Sequence, residues 1–154
     1  MTNLVVGAKL PAIEIIKDGQ ISEKNKYVPW NSSEVVGAPK LLVVMAGHPE
    51  SGEKVTDLLA KVDEAKPEVS VIKVVNTKEA PMGAAMFIKS EFKKAYKKNP
   101  ANTLILDKDA VAKAALEVAD LSALVAVLNA DGEAVLVHEG HCGDAEIEAV
   151  LAAL

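Results

Sequence analysis

Two short stretches constrain what this chain can fold into more than anything else in it. Leu41 to Ala46 reads LLVVMA, and Val69 to Val75 reads VSVIKVV. Nearly continuous apolar runs of that length are the pattern of strands buried on both faces. Between them, Val55, Leu58, Leu59 and Val62 recur at i, i+3, i+4 and i+7, which is one face of a helix. Ser51 is placed to cap that helix and Pro67 to stop it. A strand, a crossover helix and a second strand of this kind form a parallel pair with a right-handed connection.

The rest of the chain builds outward from that pair. Leu10 to Ile16 alternates as a strand, Asp18-Gly19 turns it, and Gln20 to Val28 returns beside it as an N-terminal hairpin. Trp30 is expected to staple this segment to the sheet. Ser32-Ser33-Glu34 starts about one helical turn, which Gly37 and Pro39 end. After a loop over 76–83, a helix places Ile88, Phe92 and Ala95 on its inner side. Lys89, Lys93, Lys94, Lys97 and Lys98 cover the solvated remainder. Thr103 to Asp107 reads as a short strand, and Asp109 opens an Ala-rich helical stretch to about Ala119. Leu124–Leu128 and Glu133–His138 pair around Ala130-Asp131-Gly132. A last helix opens near Asp144, with Ile147, Val150, Leu151 and Leu154 on one face. No repeat or linker interrupts the 154 residues, so residues 1–154 are expected to form a single domain. The expected class is α/β, three layers with a central mixed sheet between helices.

Charge and composition narrow the function. The net charge is −5, and all 17 basic residues are lysines. Arginine is the preferred residue for bidentate phosphate and guanine contacts. An acidic chain without it, and without a reading helix or zinc finger, is not expected to bind nucleic acid. No run of 18 apolar residues is present, so no membrane insertion is expected. The N-terminus has no basic stretch followed by an apolar one, so no signal peptide is read here. The single cysteine, Cys142, excludes an internal disulfide.

The order of elements, with a strand and helix inserted before the final hairpin, resembles the thioredoxin-like superfamily. Within it, LILDKDAVAKAALEV and LVAVLNADGEAVLVHEG are similar to the peroxiredoxin and TlpA-type branch. The YtfJ family, a bacterial thioredoxin-like group without an established biochemical function, is the closer resemblance. It rests on YVPWNSSEVVGAPKLLVVMAGHPESGEK, on IKVVNTKEAPMGAAMFIKS and on the NADGE turn. The resemblance implies a periplasmic protein, since such proteins are typically exported, and this chain starts about where a mature member would. A cytoplasmic location is the alternative. A thioredoxin carries Cys-x-x-Cys in the loop after the first buried strand; here that loop reads Ala46-Gly47-His48-Pro49-Glu50-Ser51. A peroxiredoxin would place its cysteine near Glu50 or Ser51, and the usual cis-proline position holds Ser122-Ala123. Dithiol and peroxidase activity are therefore not expected, because both need a thiolate at that helix N-terminus.

The remaining chemistry gathers in His138-Glu139-Gly140-His141-Cys142, which holds two of the three histidines and the only cysteine. Imidazole and thiolate are good ligands for zinc or copper. In a thioredoxin-like fold His48 would lie at the same end. His48, His138, His141 and Cys142 are thus the candidate metal ligands, although H-x-x-H-C matches no standard zinc spacing. The bland alternative makes His138 an edge-strand residue and His141-Cys142 the end of a loop, with no cofactor. The bland reading of Cys142 is an inert, partly buried packing cysteine. Helix-end amides favour a thiolate there while Glu139, Asp144 and Glu146 oppose it, so an unremarkable, alkylatable thiol and not an activated one is expected. No nucleophile–base pair, phosphate loop or carboxylate dyad names an enzyme. The sequence points to a monomeric binding or interaction module for a protein or small-molecule partner. A metal- or thiol-handling protein is the alternative.

Overall fold

A computed structural model describes all residues from Met1 to Leu154. Lys40–Ala46 (β3) and Ser70–Asn76 (β4) pair in parallel over their full length, Lys40 opposite Ser70 and Ala46 opposite Asn76. They are the centre of one seven-stranded sheet. Its other members are Glu14–Ile21 (β1), Tyr27–Asn31 (β2), Thr103–Asp107 (β5), Ala123–Leu128 (β6) and Ala134–Glu139 (β7). The spatial order is β2-β1-β5-β4-β3-β6-β7. The strands β3, β4 and β5 are parallel, and the remaining pairings are antiparallel. The mixed α/β architecture expected from the sequence is the one observed.

The helices are Pro49–Glu53 (α1), Thr56–Ala65 (α2), Ala84–Lys98 (α3), Val111–Leu116 (α4) and Asp144–Ala153 (α5). Leu41, Val43, Met45 and Val75 pack on one sheet face with Val55, Leu58 and Val62, with Phe92 of α3, and with Ile147 and Val150 of α5. Leu42, Val44, Ile72 and Val74 pack on the other face with Ala112 and Leu116 of α4, with Trp30, and with Leu4 and Ile13. Each cluster holds 17 buried residues, so both faces of the central strands are true core. That is why β3 and β4 read as apolar runs and not as alternation.

Three local expectations are corrected. Asp18-Gly19 does not turn the N-terminal hairpin. It forms a bulge inside β1, at φ of 64° and 95°, where the pairing with β2 shifts register. A Cβ at Gly19 would stand 2.1 Å from the Val28 carbonyl oxygen, so only glycine fits. The chain reverses later, where Ser22 N–H bonds the Lys26 carbonyl and Asn25 adopts φ 61°. Second, the inner stripe of α3 runs Ile88, Phe92, Tyr96, and Ala95 is exposed. The large ring is turned to the core in place of the small methyl. Third, Ser51 does not cap a helix from outside. His48 is the cap of α1, and Ser51 lies fully buried within it.

Val43 and Val74 are 0% and 1% exposed and belong to opposite faces of the sheet. Val43→Ala and Val74→Ala should each cost about 1–3 kcal/mol from lost burial and cavity formation. Chemical denaturation midpoints check this; two unchanged midpoints would contradict the two-sided core.

Candidate functional site

The strands β3, β4 and β5 finish at one end of the sheet, where β6 begins and β7 ends. This brings residues 46–51, 76–83, 107–110, 119–122 and 139–142 together. Open α/β sheets bind ligands at the carboxyl ends of their strands. Most polar side chains at this end are already committed to backbone. Ser51 Oγ donates to the Ser122 carbonyl and accepts from Ala46 N–H at 3.0 Å. The Asn76 side chain donates to Glu79 Oε1 at 3.0 Å and accepts from Glu79 N–H. Glu79 Oε2 accepts from Leu121 N–H at 2.9 Å, tying the β4 loop to the loop before β6. Glu139 accepts from Ala119 N–H at 2.9 Å and from Thr2 N–H. Asp107, 1% exposed, caps α4 by accepting from Val111 and Ala112 N–H. Burial still pushes its pKa up, against the two backbone bonds that lower it.

The four candidate ligands share this end but do not converge. No group of three or more His, Cys, Asp or Glu side chains is placed to hold a metal ion. Three of the four have other surroundings, and His141 is exposed. His48 Nδ1 accepts from Glu50 N–H at 3.1 Å as the cap of α1. His138 Nε2 bonds the His141 carbonyl at 2.8 Å, which folds that ring back on its own loop. Cys142 is 2% exposed and packs in the core, its N–H donating to the Lys54 carbonyl at 2.9 Å. The four-ligand set expected from the sequence is therefore not assembled. Cys142 is the inert, buried cysteine of the bland reading, and the expected near-cancellation of influences on its thiol is corrected. Burial, then the charge of Glu146, raises the Cys142 pKa from its ordinary 9.0 to about 11. The loss of hydration outweighs the short-ranged field of the helix end.

An apolar groove opens at the same end, with a volume of ≈ 360 Å³. Met45, Val75 and Lys73 form its floor, His48 and Pro49 one wall, and Phe87, Ile88 and Phe92 of α3 the other. Gly47 admits this approach of helix to sheet. A Cβ there would meet Ile88 Cδ1 at 2.8 Å and the Asn76 carbonyl at 3.2 Å. Phe87 lines the groove yet is 68% exposed, and Met82 and Met86 beside it in sequence are almost fully exposed. Three large apolar side chains so close in sequence and so bare differ from the scattered singles normal on a surface. Sequence reading missed them. The available signal was Met86-Phe87, apolar residues that fall off the buried stripe of α3.

The chain matches a family described as bacterial protein of unknown function (YtfJ_HI0045) over residues 4–154. In sequence it is similar to the uncharacterized protein YtfJ of Escherichia coli, 29% identical over 151 residues, covering 94% of this chain and 82% of that one. It is also similar to an uncharacterized protein of Haemophilus influenzae, 25% identical over 155 residues, covering 97% and 84%. Solved structures resemble it in fold. A putative thiol:disulfide interchange protein DsbE from Chlorobium tepidum has TM-score 0.64 at 19% identity, covering 98% of this chain and 99% of that one. The thioredoxin domain of a thiol-disulfide oxidoreductase from Bacteroides vulgatus has TM-score 0.61 at 18% identity, covering 97% and 98%. These likenesses establish a thioredoxin-like fold.

Two outcomes are expected at this end. Ser51→Ala should destabilise the protein by about 1–3 kcal/mol, because it leaves a buried N–H and carbonyl unpaired. Equal denaturation midpoints of variant and parent would contradict that brace. Iodoacetamide should alkylate native Cys142 far more slowly than the unfolded chain at pH 8. A rise of two pH units in pKa leaves about a hundredfold less thiolate. The rate should inflect near pH 11, and an inflection at or below 9 would show the thiol to be activated.

Proposed function

The chain belongs to the YtfJ family of bacterial proteins of unknown function, and from that premise we propose that it is a non-redox thioredoxin-like binding module. Its ligand is a small molecule with an apolar body, seated in the groove between α1 and α3. The observation that carries this reading is the bare Phe87, 68% exposed, on a groove at the carboxyl ends of β3 and β4. A monomer exposes such apolar area where something covers it. The fold alone names no function, so the site must carry the argument. Three further observations support a non-redox reading. The loop between β3 and α1 contains no cysteine. The only thiol is buried and holds its proton. The buried hydroxyl of Ser51 is used up by backbone partners.

Two finer assignments go with the proposal. The strand and helix at β5 and α4, inserted before the closing hairpin, support kinship with the peroxiredoxin and TlpA-type branch. Family resemblance supports a periplasmic location.

The test is titration with Nile red, a neutral apolar dye whose fluorescence rises on leaving water. Saturable binding to the parent protein is expected. Ala84→Trp, which fills the groove from the start of α3, should weaken it at least about tenfold, a loss of about 1.4 kcal/mol. Phe87→Asp should weaken it in the same direction. Absence of saturable binding, or binding indifferent to both substitutions, would overturn the reading.

A further inference from the structure

Lys73 is the one charged residue within the central strand β4, and nothing in the protein pairs with it. It shares a sheet face with Val71 and Val75, beneath the space between α2 and α3. The helix α2 packs beside α5, and α3 packs chiefly over β5 and β1, so the two grooves open between them along β4. Lys73 lines the groove described above and also a second groove of ≈ 310 Å³, nearer the start of β4, bounded by Leu59 of α2 and Ala95 of α3. The two grooves meet at this residue and together form a trough along β4.

The four ion pairs of the molecule are Lys17–Asp109, Lys89–Asp18, Lys94–Glu91 and Lys113–Asp120. None involves Lys73. Asp63 of α2, Lys66 just after it and Glu91 of α3 are the other charged groups along the trough. Asp63 and Glu91 are exposed, and Glu91 is held by Lys94 at 3.6 Å. Burial lowers the Lys73 pKa, and no neighbouring carboxylate raises it again. No polar side-chain atom is sealed in the protein without a partner, so the ammonium is reached through the grooves. A methionine would cover the same sheet surface without the desolvation cost of a charge. The ammonium therefore does something the apolar stem alone would not.

We propose that Lys73 is the anion anchor of this trough, and that its ligand is a medium-chain monocarboxylate, with the carboxylate on Lys73 Nζ and the hydrocarbon chain along Val75, Ile88 and Phe87. This rests on the binding-module reading and names its ligand class. The walls are apolar and the floor holds one ammonium, which matches a single negative charge on a hydrocarbon chain. A phosphate dianion calls for several converging donors, and none are placed here.

The test is calorimetric titration of the parent protein with octanoate and, separately, with 1-octanol. Octanoate should bind at least about tenfold more tightly than the neutral alcohol. Lys73→Met should abolish that preference, while Lys73→Arg should retain part of it. Equal affinity of the parent for the two ligands would overturn the anchor, as would a preference that survives in Lys73→Met. Either result leaves the apolar binding module standing. Failure of both octanoate and 1-octanol to bind the parent would remove the module as well. The comparison on the parent protein alone decides the matter if Lys73→Met does not fold.

Discussion

The seven-residue parallel pairing of β3 with β4 is the constraint on which the rest of the molecule depends. Both strands are buried on both faces. Slipping the register by one residue would carry every side chain of one strand to the opposite cluster. Leu41, Val43 and Met45 must meet α2 and α5, while Leu42 and Val44 must meet α4 and Trp30. Once that register holds, Ala46 and Asn76 end level with each other, and Asp107 ends level with Asn76 through β5. The loops that follow have no choice but to meet.

What happens at that meeting decides where the polar side chains of these loops go. The polar residues of these loops satisfy backbone groups that the turns leave orphaned. Glu79 holds Leu121 N–H, Asp107 holds the first turn of α4, and Glu139 holds Ala119 N–H. A carboxylate engaged by two N–H groups in low dielectric is a structural clasp. The same logic applies to His48 and His138. One caps a helix and one bonds its own loop carbonyl. The cysteine is shielded because α5 presses Ile147 and Val150 onto the sheet edge beside it.

The groove has a different origin. Three helices cover one face of a seven-stranded sheet, and each is drawn to the apolar strip nearest its own stripe. The stripe of α2 leads it to β3 and α5; Phe92 and Tyr96 lead α3 toward β5 and β1. The central strand β4 is left beneath the gap. Lys73 in that gap is then less a breach of the apolar pattern of β4 than a marker of where the sheet is uncovered. On the opposite face the irregular N-terminal segment, with Leu4 and Ile13, packs in one cluster with the short helix α4.

Periodicity alone determined the class of fold. The apolar runs of β3 and β4, the stripe over Val55–Val62 and the closing hairpin were all legible, because burial imposes local patterns that a chain cannot hide. The family resemblance and the gathering of loop residues at one end were legible for the same reason, since strand direction follows from element order. Tertiary structure decided the rest. Whether Asp18-Gly19 turns or bulges depends on β5 pairing with β1 across it, at Asp18 opposite Asp107. Whether three imidazoles and a thiol form a site depends on χ angles and on the partners each side chain finds first. Whether Lys73 is a solvated lysine or a half-buried one lining two grooves depends on how far apart two helices settle, and helix spacing is a property of packing between distant segments that no local pattern encodes.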